Sequence, residues 1–185
     1  VPALLAGNAI VHKPSDFTTL TGQKIAELLY ESGIPREVYQ LVVGGAAVGK
    51  EIVTSTVDCI VFTGGIDTGR SIVRRAGIKP LILELSGNDA AIVCADCNLE
   101  QAVAGVAFGT FLHAGQSCIR IKRVYVVRSI AEEFIKRITD RASQFRPGVD
   151  VPPLIRESAR KEVHSKVQQA VKKGAKLLLG GSVPT

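Results

Sequence analysis

Apolar residues along this chain fall into short runs closed by turn formers, and the stretches between them carry apolar residues at helical spacing. Ala9-Ile10-Val11-His12 predicts a strand, broken by Lys13-Pro14-Ser15-Asp16, because proline brings no backbone donor. Thr19 to Ser32 predicts a helix with Ile25, Ala26, Leu28 and Leu29 on one face, stopped by Gly33 with Pro35 beyond. Tyr39 to Val43 is the next strand, Ala46 to Thr54 a short helix, and Cys59 to Thr63 a third strand. Gly64-Gly65 turns into a helix over Ile66 to Ala76, and Leu81 to Leu85 is a fourth strand. The rhythm then resumes. Ala90 to Val93 is a strand, Leu99 to Phe111 a helix rich in small residues, and Arg123 to Val127 a strand. Ile130 to Phe145 is a long amphipathic helix, and Pro147-Gly148 and Pro152-Pro153 mark a surface loop. Glu157 to Lys173 is a polar helix closed by Gly174, and Lys176 to Leu179 is a last strand before Gly180-Gly181.

Strand and helix alternating in this way predict an α/β chain with parallel pairing, its apolar strands buried on both faces. A second α/β unit begins after about residue 85. The chain has 185 residues, opens at Val1 with sequence of mid-domain character and ends at Val183-Pro184-Thr185, which reads as a segment of a longer polypeptide. Apolar residues make up 46% and charged residues 22%, as expected of a globular protein, and no apolar run is long enough to span a membrane.

Charge changes the picture only after residue 84. The net charge of +6 lies wholly in the second part, including Arg120, Lys122, Arg123, Arg128, Lys136, Arg137, Arg141 and Arg146. Few aromatics interleave with these bases, so a solvated face, or attraction for anionic ligands, is favoured over nucleic-acid binding. The cysteines Cys59, Cys94, Cys97 and Cys118 are not spaced as a disulfide framework, which points to a reducing cytoplasm. Cys94-Ala95-Asp96-Cys97 has no second ligand pair for zinc, so no metal site is expected. Cys59, Cys94 and Cys97 read as buried structural thiols.

Two glycine-rich turns approach phosphate-binding loops. Gly44 to Lys50 fits GxxxxGK, but Glu51 replaces the hydroxyl that would hold magnesium. Gly64 to Ser71 carries the serine but has Arg70 for lysine. Neither is GxGxxG, yet each sets glycines between strand and helix, where free N–H groups suit an anion. At Gly44-Gly45 an ordinary turn is an equal reading. At Gly64, Gly65 and Gly69 the anion site is preferred. Glu84 ends an apolar strand, where burial would equip it as a base. His113-Ala114-Gly115-Gln116-Ser117-Cys118 leads through a flexible turn to a thiol that is either structural, as composition alone favours, or a nucleophile. With Glu84 as a candidate base and Gly64-Gly65 as a candidate anion cradle, Cys118 is the candidate nucleophile.

Four blocks in order carry a resemblance: Pro2 to Asn8 leading to His12-Lys13-Pro14-Ser15-Asp16; Phe62 to Gly69; Leu83-Glu84-Leu85-Ser86-Gly87; and Gly115-Gln116-Ser117-Cys118. With Glu84 and Cys118 thirty-four positions apart, the chain resembles the NAD(P)-dependent aldehyde dehydrogenase superfamily along its whole length. Gly174 to Gly181 also looks like a family segment. The resemblance implies a parallel Rossmann-like sheet portion over 1–85, belonging to the cofactor domain. It implies part of a second, catalytic α/β domain over 86–185.

It further implies that Cys118 attacks an aldehyde, that its backbone N–H helps hold the oxyanion, and that Glu84 activates the water that frees an acid. Lys13, Ser15 and Asp16 would bind on the adenosine side, Gly44, Gly64, Gly65 and Gly69 around the pyrophosphate, and the Leu85 carbonyl near the nicotinamide. An acid at Asp16 favours NAD over NADP. Gly65 stands where the family commonly has serine, and Ser86 where it commonly has glycine. The family's oxyanion asparagine would lie upstream of Val1, and its ribose-binding glutamate beyond Thr185. A small aldehyde substrate, a homo-oligomer at full length, and no nucleic-acid or membrane partner complete the expectation. The alternatives are a nucleotide-binding module built on Gly44 to Lys50 and a non-catalytic remnant that interacts through its basic face.

Overall fold

The computed structural model describes residues 1–182; the closing Val183-Pro184-Thr185 lies outside the described residues. The chain divides into two compact units, Val1–Leu85 and Ser86–Thr185.

In the first unit a short helix α1 (Pro2–Leu5) precedes strand β1 (Ile10–His12), helix α2 (Thr19–Glu31) and strand β2 (Tyr39–Leu41). A 3-10 turn, Asp16–Thr18, leads into α2, and the Ser15 side chain caps it by accepting from the Phe17 N–H. α2 stops where the sequence places glycine. Gly33 takes φ +88°, and the Ile34 N–H returns to the Leu29 carbonyl, satisfying one of the helix's orphan acceptors. Helix α3 (Ala46–Thr54), strand β3 (Ile60–Gly64), helix α4 (Ile66–Arg75) and strand β4 (Leu81–Leu85) follow. β1 pairs with β2 and β3 with β4, both in parallel, as a helical crossover requires.

The core of this unit is Val53 from α3, Ile60 from β3, and Ile72 and Ala76 at α4, with Phe62, Leu81 and Leu83 packed against it. Strand alternation therefore sends Cys59, Val61, Thr63, Ile82 and Glu84 to the other face, which is exposed. This corrects two expectations. The strands are covered on one face only, with Val61 70% exposed, and Cys59 is an exposed thiol. No second layer covers that face among the described residues.

The second unit contains β5 (Asp89–Val93), α5 (Leu99–Phe111), β6 (Ile121–Val126), α6 (Ala131–Ser143) and α7 (Glu157–Lys172). β5 and β6 are again parallel, with a register shift at Asp89/Ala90. Asn98 caps α5, its side chain accepting from the Gln101 N–H. The small residues of α5 have a packing reason. Ala107 is 1% exposed, and a Cβ on Gly109 would sit 2.6 Å from Ile121 Cδ1, so bulk there would push α5 away from β6. Phe134 of α6 closes a cluster with Val93, Val103 and Val106.

Cys94 is exposed, and the Cys97 N–H donates to the Cys94 carbonyl in the turn ahead of Asn98, so this pair lies before the helix rather than at its first turn. All four thiols are free. α7 buries no residue and carries the pairs Glu157–Arg160 and Glu162–Lys166 on its surface. Lys176 to Leu179, expected as a strand, is irregular, since no strand among the described residues pairs with it. Among the described residues no helix is long and apolar enough to cross a membrane.

Phe134 is 2% exposed at the centre of its cluster. Phe134→Ala should therefore destabilise the second unit by about 3–5 kcal/mol, the usual cost of emptying a packed aromatic site, read from the midpoint of urea unfolding.

Candidate active site

The first unit gathers part of the expected cofactor set at the C-terminal end of β1. Lys13 follows β1, and its Nζ donates to the Gly44 carbonyl at 2.7 Å and to the Pro14 carbonyl at 2.9 Å. The same ammonium lies 3.4 Å from Asp16 Oδ1. A Cβ on Gly45 would lie 3.7 Å from Asp16 Oδ2, and one on Gly49 3.6 Å from Lys13 Cε. Lys13, Asp16, Gly44 and Gly45 are thus neighbours, tied across 31 positions of sequence by one amine. A side chain at Gly44 would run into Val48, which explains the glycine there without recourse to a ligand. Ser15 stands beside this group, with its hydroxyl used to cap the turn.

The second glycine turn follows β3. Gly65 is the N-cap of α4, and no side chain caps the helix, so its leading N–H groups have no side-chain acceptor. Nothing lies within 4 Å of a Cβ built on Gly65, so the space ahead of the helix is open. Gly69, one turn into α4, is buried against Leu85, and a Cβ there would come 2.5 Å from both Leu85 methyl carbons. Gly69 is therefore needed for packing, and it fixes where Leu85 sits. Glu84 lies next to Leu85 on the exposed face of β4. The burial expected to equip it as a base is absent among the described residues.

At the junction that follows, Ser86 adopts φ +43°, a conformation that costs a non-glycine residue roughly 1 kcal/mol. This is the physical reason for a glycine preference at that position.

The second unit builds the cysteine loop on a left-handed turn. His113, Ala114 and Gly115 take φ values of 51°, 56° and 70° in succession, and two of the three are not glycine. Such a run persists only where its surroundings hold it. Here the holding groups are identifiable. The Gln116 N–H returns to the His113 carbonyl at 3.0 Å. Lys122 Nζ donates to the Cys118 carbonyl at 3.0 Å and lies 3.4 Å from the Ser117 and Arg120 carbonyls. A Cβ on Gly87 would collide with the Cys118 carbonyl oxygen, so the chain after Ser86 passes directly against the loop. The Arg120 side chain runs under Gly115, its Cδ 2.7 Å from where a Cβ would be.

Cys118 itself is exposed, and its backbone N–H has no acceptor among the described residues. Sequence reasoning missed Lys122 and Gln116 as loop-holding residues. A basic residue four positions after a cysteine gives no signal of which carbonyls it will meet. Lys122 and Arg123 had been grouped as possible attractors of an anionic ligand, but the structure engages both. Lys122 holds the loop carbonyls, and the Arg123 guanidinium donates to the Asn88 carbonyl at 2.7 and 3.1 Å.

Against this geometry the comparisons are consistent. The aldehyde dehydrogenase family model matches residues 1–185, and the chain belongs to that family. It is 42% identical to betaine aldehyde dehydrogenase of Bacillus subtilis over 193 residues, covering 99% of this chain and 39% of that protein. It is 38% identical to a putative NADP-dependent succinate-semialdehyde dehydrogenase of Mycobacterium tuberculosis, covering 98% of this chain and 36% of that one. Among solved structures it matches betaine aldehyde dehydrogenase of Staphylococcus aureus in complex with NAD+, with a TM-score of 0.95, 34% identity, and coverage of 100% of this chain and 39% of that one. The chain therefore spans about two fifths of the length of the relatives it matches. The comparisons lend nothing to the nucleotide-module reading of Gly44 to Lys50.

The loop after α6 is locked by charge. Asp150 accepts from the Arg146 backbone N–H at 2.9 Å and from its guanidinium at 2.8 and 3.1 Å. The Arg146 hydrogen bonds hold the Asp150 carboxyl down at about 2. A depressed carboxyl stabilises the folded loop above its unfolded value of 3.8, and that contribution fades as pH falls through about 2. The Asp150 carboxyl should titrate near 2 by NMR, and Arg146→Ala should return it towards 3.8.

Proposed function

We propose that the polypeptide containing this chain oxidises an aldehyde to a carboxylic acid with NAD, through a thioester on Cys118. The observation that carries the reading is the cysteine loop. A chain matched throughout by the aldehyde dehydrogenase family presents an exposed thiol three positions after a strained left-handed turn, with a backbone N–H that has no acceptor among the described residues.

On this reading the Cys118 thiolate adds to the aldehyde carbon, and the carbonyl electrons move to oxygen. The Cys118 N–H donates to that oxyanion, which gains more from it than the neutral carbonyl does. NAD, held by the residues of the first unit, would supply the hydride acceptor, so that the adduct on Cys118 collapses to a thioester. Glu84 then takes a proton from water, the hydroxide displaces the thiolate, and the acid departs. An acid-releasing role for Glu84 places the enzyme in the hydrolytic, non-acylating branch. Lys122 holds the loop carbonyls and so keeps the Cys118 N–H aimed.

The residues of the first unit fit the cofactor. The uncapped start of α4 with open space at Gly65 suits a pyrophosphate, and Gly45 likewise begins α3 without a side-chain cap. Lys13 and Asp16 offer a donor and an acceptor for ribose hydroxyls, and an exposed carboxylate at Asp16 repels a 2′-phosphate, which favours NAD. Gly44 supplies the carbonyl that anchors Lys13, Gly69 seats Leu85, and Leu85 offers its carbonyl to the nicotinamide amide. On this assignment Val1–Leu85 is part of the cofactor domain, and the unit from Ser86 onward is part of the catalytic domain. Four free thiols support a reducing, cytoplasmic setting, and the family resemblance alone supports a homo-oligomer at full length.

In the full-length protein, Cys118→Ala should lower aldehyde-dependent NADH formation by roughly 10³-fold or more, as expected for loss of a nucleophile. Turnover within a few-fold of wild type would end the reading. Glu84→Gln should slow thioester hydrolysis more than its formation, so rapid mixing should still show a burst of NADH. Gly65→Ser adds a hydroxyl where space is free ahead of α4, and as a further donor to the pyrophosphate it should lower Kd for NAD. Weaker NAD binding in that variant would argue against pyrophosphate at α4.

A further inference from the structure

Gln116 is exposed, yet each end of its side chain is used. Its Oε1 accepts from the Ile155 backbone N–H at 2.9 Å. Its Nε2 donates to the His113 carbonyl at 3.1 Å and lies 3.5 Å from the Pro153 carbonyl. The orientation of the amide is dictated by chemistry, because a backbone N–H can only donate and two carbonyls can only accept. One side chain therefore joins the left-handed turn that precedes Cys118 to a segment 37 to 39 positions away.

That segment is stiff. Arg146 and Asp150 lock its first half, the Gly148 N–H returns to the Val151 carbonyl at 2.8 Å, and Pro152-Pro153 follows with φ fixed by two rings. The turn it braces is the strained one. His113 and Ala114 hold positive φ, and the Gln116 side chain adds to the local Gln116 N–H bond a tie from outside the turn.

We propose that Gln116 is a positioning residue. By clamping the His113–Gly115 turn to the Pro153–Ile155 segment, it sets the placement of the Cys118 thiol. The proposal rests on the reading of Cys118 as nucleophile. It gives the loop between α6 and α7, remote in sequence from the cysteine, a direct mechanical connection to it.

The test uses the full-length protein with Gln116→Met, which keeps length and removes every hydrogen bond, and Gln116→Glu, which turns a carboxylate towards two carbonyl oxygens. Each is assayed for kcat and for KM towards NAD. Iodoacetamide alkylation is followed at each cysteine by peptide mass spectrometry, with Cys59 and Cys94, both exposed among the described residues, as internal references. A misplaced reacting group typically loses on the order of 10–100-fold in rate, so kcat should fall by about that factor in both variants. KM for NAD should hold, and the alkylation rate at Cys118 should change at least threefold relative to Cys59 and Cys94, a margin of about 0.7 kcal/mol. Unchanged kcat, or a parallel change at all three thiols, overturns the clamp. Wild-type turnover in Cys118→Ala would instead overturn the nucleophile reading, while the Cys118 to Cys59 alkylation ratio would still decide the clamp.

Discussion

Three consecutive residues in left-handed conformation, His113, Ala114 and Gly115, are what the cysteine loop of the second unit is arranged to hold. An L-residue placed there gives up roughly 1–2 kcal/mol, and two of the three have side chains to lose it with. Beyond the turn the Cys118 thiol is exposed and its N–H has no acceptor among the described residues. Everything adjacent opposes its relaxation. Lys122 gathers the carbonyls after the turn, Gln116 ties its start to the Pro153 segment, Arg120 runs beneath Gly115, and Gly87 lies against the Cys118 carbonyl. Lys122 and Arg120 restrain the loop from just beyond the cysteine, whereas Gly87 and the Pro153–Ile155 segment reach it from more than thirty positions away, so local and tertiary contacts together place the thiol.

The first unit uses another device. Its glycines are less alike than their spacing suggests. Gly44 and Gly69 are glycines because Val48 and Leu85 occupy the space a side chain would need, whereas Gly65 faces open space at an uncapped helix start. Lys13 holds the two turns of the first βαβ segment together through the Gly44 carbonyl, so a group expected only to meet cofactor also supports the fold.

Much of the fold was legible in the sequence, for particular reasons. α3, α5 and β4 begin and end as expected because Gly45, Asn98 and the glycine-flanked apolar runs leave little choice. The parallel pairing followed from strand and helix alternation. What was not legible depended on partners. Lys176 to Leu179 has strand composition but no paired strand among the described residues, and Cys59 faces outward because alternation counts from Ile60, whose side chain is buried. The candidate nucleophile and glutamate could be named from motif order, but the roles of Gln116, Lys122 and Arg123 could not. Each acts on a backbone carbonyl or amide, and backbone groups leave no mark in the residue code.

The three strand pairs carry a further consequence. Each is only two strands wide among the described residues, and β3, β4 and β5 turn Val61, Ile82 and Ile92 to solvent. A flat apolar face beside unpaired backbone donors and acceptors is a template for another strand. For a polypeptide limited to these residues, the hazard is accretion of copies edge to edge. Its solubility would then be governed by chain concentration more than by the integrity of either core.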